Sequence, residues 1–221
     1  GIFLGDAPTE DLPVALSSSS WGEIAAFLKS GSRKAKIFRK TSETSILVEL
    51  DLNGSGCPDI HTGLAFFDHM LEQIARHGGV DLTIKADGDL EVDEHHTIED
   101  TGIVLGECFA EALGRKKGIE RYGFALPMDE AKAEVLLDFG GRACLVWQVE
   151  LCREYVGDFP TEMTKHFFDS FCQSCKCNLH VTASGENTHH VIEGVFKAFA
   201  RAIKAAIRQT GTGIPSSKGV V

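Results

Sequence analysis

Two short segments of the chain carry the same arrangement of potential metal ligands. Residues 95–99 read HHTIE and residues 189–193 read HHVIE, and together they hold four of the nine histidines. Side chains three or four residues apart share one face of a helix and can bind one ion. His95 and Glu99 have this spacing in the first segment. Glu193 has it with either of the two histidines in the second segment.

Adjacent histidines cannot serve one ion in this way. They project about 100° apart around a helix, so each segment is expected to supply ligands to two different metals. The recurrence therefore predicts a two-metal site to which both segments contribute. A mixture of imidazole and carboxylate ligands suits manganese, iron or zinc better than calcium or magnesium.

Two further histidines extend this set of ligands. His69 and His166 lie near the starts of equivalent predicted helices in the two halves of the chain. Adding them gives six histidines and two glutamates, or four ligands for each ion, which leaves two open positions per ion if both are octahedral. The candidate metal ligands are His69, His95, His96, Glu99, His166, His189, His190 and Glu193.

The two ligand segments belong to a longer internal repeat. Residues 66–68 (FFD) recur as 167–169, and residues 81–84 (DLTI) recur in character as 178–181 (NLHV). A period of about 95 residues is too long for a stacked solenoid unit and suits two fused copies of a small module. The sequence predicts an α+β fold made of two tandem sheet-plus-helices repeats, with the helices on one face of the sheets.

Local patterns indicate which elements carry the ligands. Alternating or β-branched apolar residues predict strands within 37–52 and 131–152, so each half opens with strands. Apolar residues at helical spacing predict a helix over 67–77 that stops at a Gly-Gly pair, with a counterpart over about 162–176. The helices that bear the HHxxE segments are predicted at 97–113 and 190–207.

The first 34 residues do not share the repeat. They contain a short predicted helix over 21–28 between Ser-rich and Gly-Ser segments typical of linkers. Residues 2–11 form an apolar, strand-like run followed by acidic residues, and they resemble the last motif of a haloacid-dehalogenase-type phosphatase. We expect no phosphatase activity from so short a segment. Residues 1–34 are therefore interpreted as an appendage, or as the tail of an upstream phosphatase domain.

Composition excludes several classes of function. The 221 residues are 43% hydrophobic and 24% charged, and the formal net charge is −10. This acidity argues against general binding to nucleic acids or anionic membranes. No apolar run reaches the length of about 20 residues that a membrane span needs. The seven scattered cysteines suit reduced, mainly structural thiols. We expect a cytoplasmic protein with no nucleic-acid or membrane partner.

Several separate motifs follow one another along the chain: 67–70 (FDHM), 93–101 (DEHHTIEDT), 127–130 (PMDE), 166–168 (HFF) and 215–219 (PSSKG). Together and in this order, they resemble imidazoleglycerol-phosphate dehydratases of histidine biosynthesis. The resemblance covers the chain from about residue 36 to its end. It implies a dehydratase domain over 35–221, with repeats at about 35–120 and 121–221, and a fold like domain 2 of ribosomal protein S5.

The resemblance also implies a cofactor and an assembly. It implies two Mn²⁺ ions per subunit, and a homo-oligomer of 24 subunits built from trimers, with active sites completed between subunits. One ion would be held by His69, His96, His189 and Glu193. The other would be held by His95, Glu99, His166 and His190. These sets agree with the expectation that adjacent histidines diverge.

The implied reaction removes water from imidazole glycerol phosphate to give imidazole acetol phosphate. The departing proton lies on a carbon with no neighbouring carbonyl, so the ring must be the electron sink. With both nitrogens on metal, an imidazolate can expel the hydroxyl through a diazafulvene-like intermediate. By resemblance, Glu43 is the acid/base candidate, and His95 and His189 are counted with it as catalytic.

The substrate contacts are also implied by the resemblance. Glu43 is included among them, and the phosphate needs cationic donors that an acidic protein must concentrate locally. The other expected contacts are Arg121, Arg142, Lys197, Ser216, Ser217 and Lys218.

A second hypothesis stays open at this point. The histidines could organise a metal-binding assembly without catalysis, in which case neither Glu43 nor Arg121 would be needed.

Overall fold

The computed structural model describes residues 2–5, 16–22, 24–25, 33–123, 126–219 and 221. The chain divides into two compact units, Gly1–Arg33 and Lys34–Val221.

The first unit contains two short parallel strands, β1 (Ile2–Leu4) and β2 (Leu16–Ser18). The strand predicted at the start of the chain is therefore present. The helix predicted over 21–28 falls partly outside the described residues, and those described at its beginning are helical.

The second unit begins with a four-stranded sheet and two helices. The strand order is β3-β4-β6-β5, with β5 parallel to β6 and the other pairs antiparallel. The elements, in chain order, are β3 (Lys34–Lys40), β4 (Thr44–Asp51), β5 (Pro58–His61), α1 (Ala65–Gly78), β6 (Asp81–Gly88) and α2 (His95–Leu113).

The rest of this unit repeats the same plan. Its main sheet has the order β10-β13-β9-β7, with β8 also paired to β9, and only β10 and β13 are parallel. The elements are β7 (Tyr122–Gly123), β8 (Leu126–Met128), β9 (Ala131–Asp138), β10 (Cys144–Val149), β11 (Tyr155–Val156), β12 (Phe159–Pro160), α3 (Met163–Cys175), β13 (Asn178–Ser184) and α4 (Thr188–Ala206).

The two halves share one topology. In each, an antiparallel pair is followed by a strand, a helix and a second strand parallel to the first, and then by the ligand-bearing helix. The predicted α+β fold with two tandem sheet-and-helix repeats is confirmed. The small antiparallel hairpin β11–β12 interrupts the second repeat before α3.

The helices cover one face of each sheet, as predicted. Strand β9 buries alternate residues, including Ala133, Val135 and Leu137, and α4 packs over β9. The helices also join the repeats, because α1 packs on α4 and α2 packs on α3. Phe67 and Phe109 of the first repeat contribute to this shared core by contacting the rings of Phe167 and Phe171 of the second repeat. Each repeat therefore supplies the apolar cover of the other.

Two glycines allow α2 to lie close to α3. A Cβ atom on Gly102 would stand 2.8 Å from the carbonyl oxygen of Phe167, and one on Gly106 would stand 2.7 Å from that of Phe171. Real Cβ atoms do not approach backbone so closely. The small residues at this spacing therefore fix the distance between helices from different repeats.

Within the described part of the chain, none of the helices is long and apolar enough to cross a lipid bilayer. The thiols of Cys172, Cys175 and Cys177 are buried near the end of α3. None of these thiols belongs to the groups of potential metal ligands found among the described residues.

We predict that Gly106→Ala lowers the free energy of unfolding by roughly 1–2 kcal/mol, because the overpacking penalty exceeds the gain of about 1 kcal/mol in helix propensity. Denaturant unfolding at matched protein concentration measures this change. Gly211→Ala is the control, since a Cβ there meets nothing within 4 Å. Equal stability of the two variants would contradict the close-packing argument.

Candidate metal centre

Side-chain caps start both ligand-bearing helices at equivalent positions. The Oδ1 atom of Asp93 accepts a hydrogen bond from the amide of His95 at 3.0 Å. Asn187 Oδ1 accepts one from the amide of His189, also at 3.0 Å. Such caps satisfy amides that have no partner within the helix. The helices therefore begin two residues earlier than predicted, and the paired histidines lie in the first turn.

The first group of potential ligands is His69, His189 and Glu193, which we call the Glu193 triad. His189 Nε2 lies 3.2 Å from Glu193 Oε2, and His69 Nε2 lies 3.7 Å from Glu193 Oε1. One ligand atom from each residue lies within 4.8 Å of the others. Of the two histidines that the sequence left open as partners of Glu193, His189 has the i, i+4 contact.

The second group is His95, Glu99 and His166, which we call the Glu99 triad. His95 Nε2 lies 3.1 Å from Glu99 Oε2, and the rings of His95 and His166 are 5.3 Å apart between centroids. Here too the ligand atoms all lie within 4.8 Å of one another.

The triads are built reciprocally from the two repeats. Helix α4 supplies two residues of the Glu193 triad, and α1 of the other repeat supplies the third. Helix α2 supplies two residues of the Glu99 triad, and α3 supplies the third. Two imidazoles and one carboxylate within 4.8 Å fit a first-row transition metal, whose bonds to such ligands are about 2.0–2.2 Å long. Each triad can therefore hold one ion.

The remaining histidine of each pair points elsewhere. His96 Nδ1 lies 3.1 Å from Asp89 Oδ2, and His190 Nδ1 lies 2.9 Å from Glu130 Oε2. These hydrogen bonds raise the pKa of both histidines above the usual range. A carboxylate on Nδ1 orients the ring and leaves Nε2 as the ligand atom. Both histidines lie outside the triads of their own chain, so their role as ligands stays a prediction.

Glu43 lies on the other side of the His96 ring. Its Oε2 atom is 3.9 Å from His96 Nε2, and about half of its side chain is exposed. Asp89 and Glu130 both face an Nδ1 atom, whereas Glu43 faces the nitrogen left free for a metal. The two repeats are therefore similar in their fold but different in the chemistry around the second histidine.

Lys197 is brought to the Glu193 triad. Its Nζ atom lies 2.8 Å from Glu193 Oε1, and the carboxylate side chain is only 10% exposed. Burial alone raises the pKa of Glu193, but the hydrogen bond and charge of Lys197 outweigh this effect and lower the pKa below its usual value. Lys197 thus keeps a buried ligand candidate ionised.

Arg121 organises the C-terminal segment. Its guanidinium binds both oxygens of Asp138, at 2.5 and 3.0 Å, and donates to the carbonyl oxygen of Pro215 at 2.9 Å. The hydrogen bond to Asp138 raises the pKa of Arg121. Ser216 Oγ accepts from the amide of Lys218, which belongs to an exposed turn.

Arg142, Ser217 and Lys218 also have exposed side chains. Gly141, next to Arg142, closely approaches the backbone of Val221. We refer to these predicted phosphate contacts and Arg121 as a second group, in which Arg121 is the member tied to the C-terminal segment. Among the described residues, no hydrogen bond or ion pair joins this second group to either triad.

Sequence reasoning missed the hairpin that supports His69. Asp158, between β11 and β12, accepts hydrogen bonds from the amides of Ala65 and Phe66 at 2.6 and 3.1 Å. It caps α1 across more than 90 residues of sequence. The ring of Phe66 also meets the ring of His189 edge-on, with centroids 5.2 Å apart. The available signal for this cap was an acidic residue next to a Gly in the segment before α3. No local sequence pattern pairs that residue with α1.

Fold and site together define an α+β protein that assembles two His/Glu ligand groups from two internal repeats. The sequence profile of a protein family, imidazoleglycerol-phosphate dehydratase, matches residues 62–203. The chain belongs to this family, and the resemblance drawn from its motifs is confirmed. Members of this family are hydro-lyases of histidine biosynthesis.

Curated relatives are longer proteins. The histidine biosynthesis bifunctional protein HisB of Bacteroides fragilis is 58% identical over 209 residues, which are 94% of this chain and 56% of the relative. HisB of Spirosoma linguale is 54% identical over 211 residues, or 94% of this chain and 55% of the relative. The chain thus spans little more than half the length of these relatives.

Solved structures of similar proteins are matched over nearly their full length. Imidazoleglycerol-phosphate dehydratase from Staphylococcus aureus is 36% identical, with a TM-score of 0.73 over 80% of this chain and 99% of that one. The enzyme from Pyrococcus furiosus, solved in complex with (S)-C348, is 32% identical with a TM-score of 0.73, covering 84% of this chain and all of that one.

We predict that Asp158→Ala lowers the free energy of unfolding by about 1–2 kcal/mol, because α1 loses its capping carboxylate and the favourable charge at its N-terminus. Asp158→Asn keeps a hydrogen-bond acceptor but loses the charge. Its free energy of unfolding should therefore lie between that of Asp158→Ala and that of the unchanged protein. Denaturant unfolding of the three proteins measures the order. A stability of Asp158→Ala equal to that of the unchanged protein would refute the capping role.

Proposed function

We propose that the chain catalyses the dehydration of imidazole glycerol phosphate to imidazole acetol phosphate. The observation that carries this proposal is the pair of triads, each assembled from both repeats, in a member of this family. A metal-organised assembly protein without catalysis would not need Glu43 beside the free nitrogen of His96.

We propose Mn²⁺ as the cofactor, with two ions per chain. The Glu193 triad would hold one ion and the Glu99 triad the other, which suits their mixed nitrogen and oxygen donors. When bound, the ions would hold both nitrogens of the substrate imidazole, so that the ring can act as the electron sink.

The proton chemistry falls to Glu43. The carbon next to the ring loses its hydroxyl, which becomes water with the proton later released by the enol hydroxyl, and the neighbouring carbon loses a proton to give that enol. Glu43 accepts that proton as a base and can return one to the carbon next to the ring when the enol becomes the ketone. His95 and His189 serve this step by holding the ring of the substrate in position through their triads.

The phosphate of the substrate requires cationic and hydrogen-bonding groups. Lys197 stands beside the Glu193 triad, so it can reach a phosphate while the ring lies near the ligands. Arg121 ties the C-terminal segment to the fold through Pro215. The other proposed contacts are Arg142, Ser216, Ser217 and Lys218.

We propose that neighbouring subunits complete the sites. Each triad has three of the four ligands that the family pattern implies, while His96 and His190 present Nε2 away from their own triads. His96 of one subunit would join the Glu193 triad of another, and His190 would join a Glu99 triad. A closed assembly of 24 subunits, built from trimers in the cytoplasm, would satisfy every site in this way.

The first unit of the chain is proposed to be the end of an upstream phosphatase domain. The match to bifunctional relatives covers 94% of the chain, which is more than residues 35–221 supply. Residues 1–34 would then connect two enzymes of one pathway and have no catalytic role in the dehydration. An upstream Asp-x-Asp motif in the complete gene would support this assignment.

The metal proposal predicts that Glu99→Gln and Glu193→Gln each reduce retained Mn²⁺ from two ions per chain to one, because an amide oxygen is a weaker ligand than a carboxylate. Elemental analysis after gel filtration measures the stoichiometry. Glu111→Gln, about 18 Å from Glu99 along the same helix, is the control and should retain two ions. Two ions retained by both triad variants would count against this assignment.

The acid/base proposal predicts that Glu43→Gln lowers kcat by about 10²–10⁴-fold, because the amide cannot carry the proton. KM and Mn²⁺ content should change little. Glu49→Gln is the matched control, since Glu49 lies on β4, the strand that follows Glu43, in an ion pair with Lys36. A product assay with saturating substrate tests both variants. Unchanged turnover by Glu43→Gln would exclude this residue as the acid or base.

A further inference from the structure

Glu43 is carried by a tight turn that its own side chain does not stabilise. The amide of Thr41 donates to the carbonyl oxygen of Thr44 at 2.8 Å. The hydroxyl of Thr41 accepts from the amides of Glu43 and Thr44 at 3.1 and 2.9 Å. The carbonyl oxygen of Glu43 accepts from the amide of Asp89 at 3.1 Å. The turn is thus held by contacts of Thr41 within the turn itself. Its backbone is also joined to Asp89, the residue that orients His96.

A buried carboxylate on α2 anchors this turn. Asp100 Oδ2 accepts a hydrogen bond of 2.5 Å from the hydroxyl of Thr44, and Asp100 Oδ1 lies 2.5 Å from Arg39 Nη1. Asp100 is 8% exposed and Thr44 is 3% exposed. The bond from Thr44 is a hydrogen bond to a charged group, which is stronger than a neutral one, and the contact with Arg39 is an ion pair. Asp100 therefore holds both strands of the β3–β4 hairpin at the point where they meet in the turn.

The position of Asp100 links this anchor to the candidate metal centre. Asp100 follows Glu99 directly, so the residue that holds the hairpin is adjacent to a residue of the Glu99 triad. The equivalent position in the second repeat, after Glu193, is Gly194. In that repeat, the carboxylate near the second histidine is Glu130, which contacts Nδ1 and serves to orient the ring. Among the described residues, the anchor occurs in the repeat whose second histidine has a carboxylate, Glu43, facing Nε2, and not in the repeat whose carboxylate, Glu130, faces Nδ1.

We propose that Asp100 is a positioning residue for Glu43. Through Thr44 and Arg39, it fixes the distance between the Glu43 turn and the helix that carries His95, His96 and Glu99. This inference rests on the proposed acid/base role of Glu43. A displacement of about 1 Å at a reacting group can cost as much as 10²-fold in rate, so loss of the anchor should appear mainly in kcat.

A double-mutant cycle in the full, Mn²⁺-loaded protein tests the proposal. Thr44→Val removes only the hydroxyl, and Asp100→Asn removes the charge that pairs with Arg39. Each should lower kcat about tenfold or more, with KM and Mn²⁺ content within about twofold of the unchanged protein. When either change is combined with Glu43→Gln, kcat should be lower than that of Glu43→Gln alone by less than about twofold. The effects of residues that act through one group are not additive.

Thr101→Val is the matched control. Thr101 is buried on the same helix, and its hydroxyl donates to the carbonyl oxygen of Thr97 at 2.7 Å and not to the hairpin. Its kcat should stay within about twofold of the unchanged protein.

The outcomes separate the two proposals. The positioning role would be overturned if the loss of kcat in the anchor variants multiplied with the loss in Glu43→Gln, or if both anchor variants kept their turnover. Either result would leave the role of Glu43 intact. Unchanged turnover in Glu43→Gln itself would instead overturn the acid/base proposal. If Asp100→Asn does not fold, the milder Thr44→Val variant gives the same comparison.

Discussion

The packing of helices across the two repeats is the constraint on which the candidate site depends. An HHxxE helix brings a histidine and a glutamate to one face, but a third ligand has to come from elsewhere in the fold. Helix α1 supplies it to α4, and α3 supplies it to α2. Gly102 and Gly106 let the backbone of α2 lie close to the backbone of α3. Duplication of a small module thus produces two similar ligand groups, neither of which one module could form alone.

The two repeats share the start of the ligand-bearing helix but differ in the charged groups near the ligands. Asp93 and Asn187 cap their helices in the same way, so both ligand pairs start from the same geometry. Around the second histidine, the first repeat has Glu43 on the Nε2 side, whereas in the described part of the second repeat the carboxylate that contacts His190 is the Nδ1 partner Glu130. Lys197 has no counterpart either, because Ile103 occupies the matching position after Glu99. The two repeats therefore differ in the groups proposed for acid/base chemistry and phosphate binding, which are Glu43 in the first repeat and Lys197 in the second.

The sequence predicted the parts of this architecture that depend on local spacing. Helical periodicity located the four helices described within residues 34–221, and the i, i+4 rule paired His95 with Glu99. It could not choose between His189 and His190 for Glu193, because side chains three and four residues apart both share a helix face. It also missed Asp158, whose partners lie more than 90 residues away, and Asp100, whose partners lie on strands β3 and β4. Such contacts follow from the tertiary fold and leave no periodic signal.

The most direct test of the account is anomalous diffraction near the manganese absorption edge from crystals of the Mn²⁺-loaded protein. The account predicts two peaks for each chain, one within coordination distance of His69, His189 and Glu193 and the other within coordination distance of His95, Glu99 and His166. A single peak shared by both groups, or peaks away from these six side chains, would contradict it.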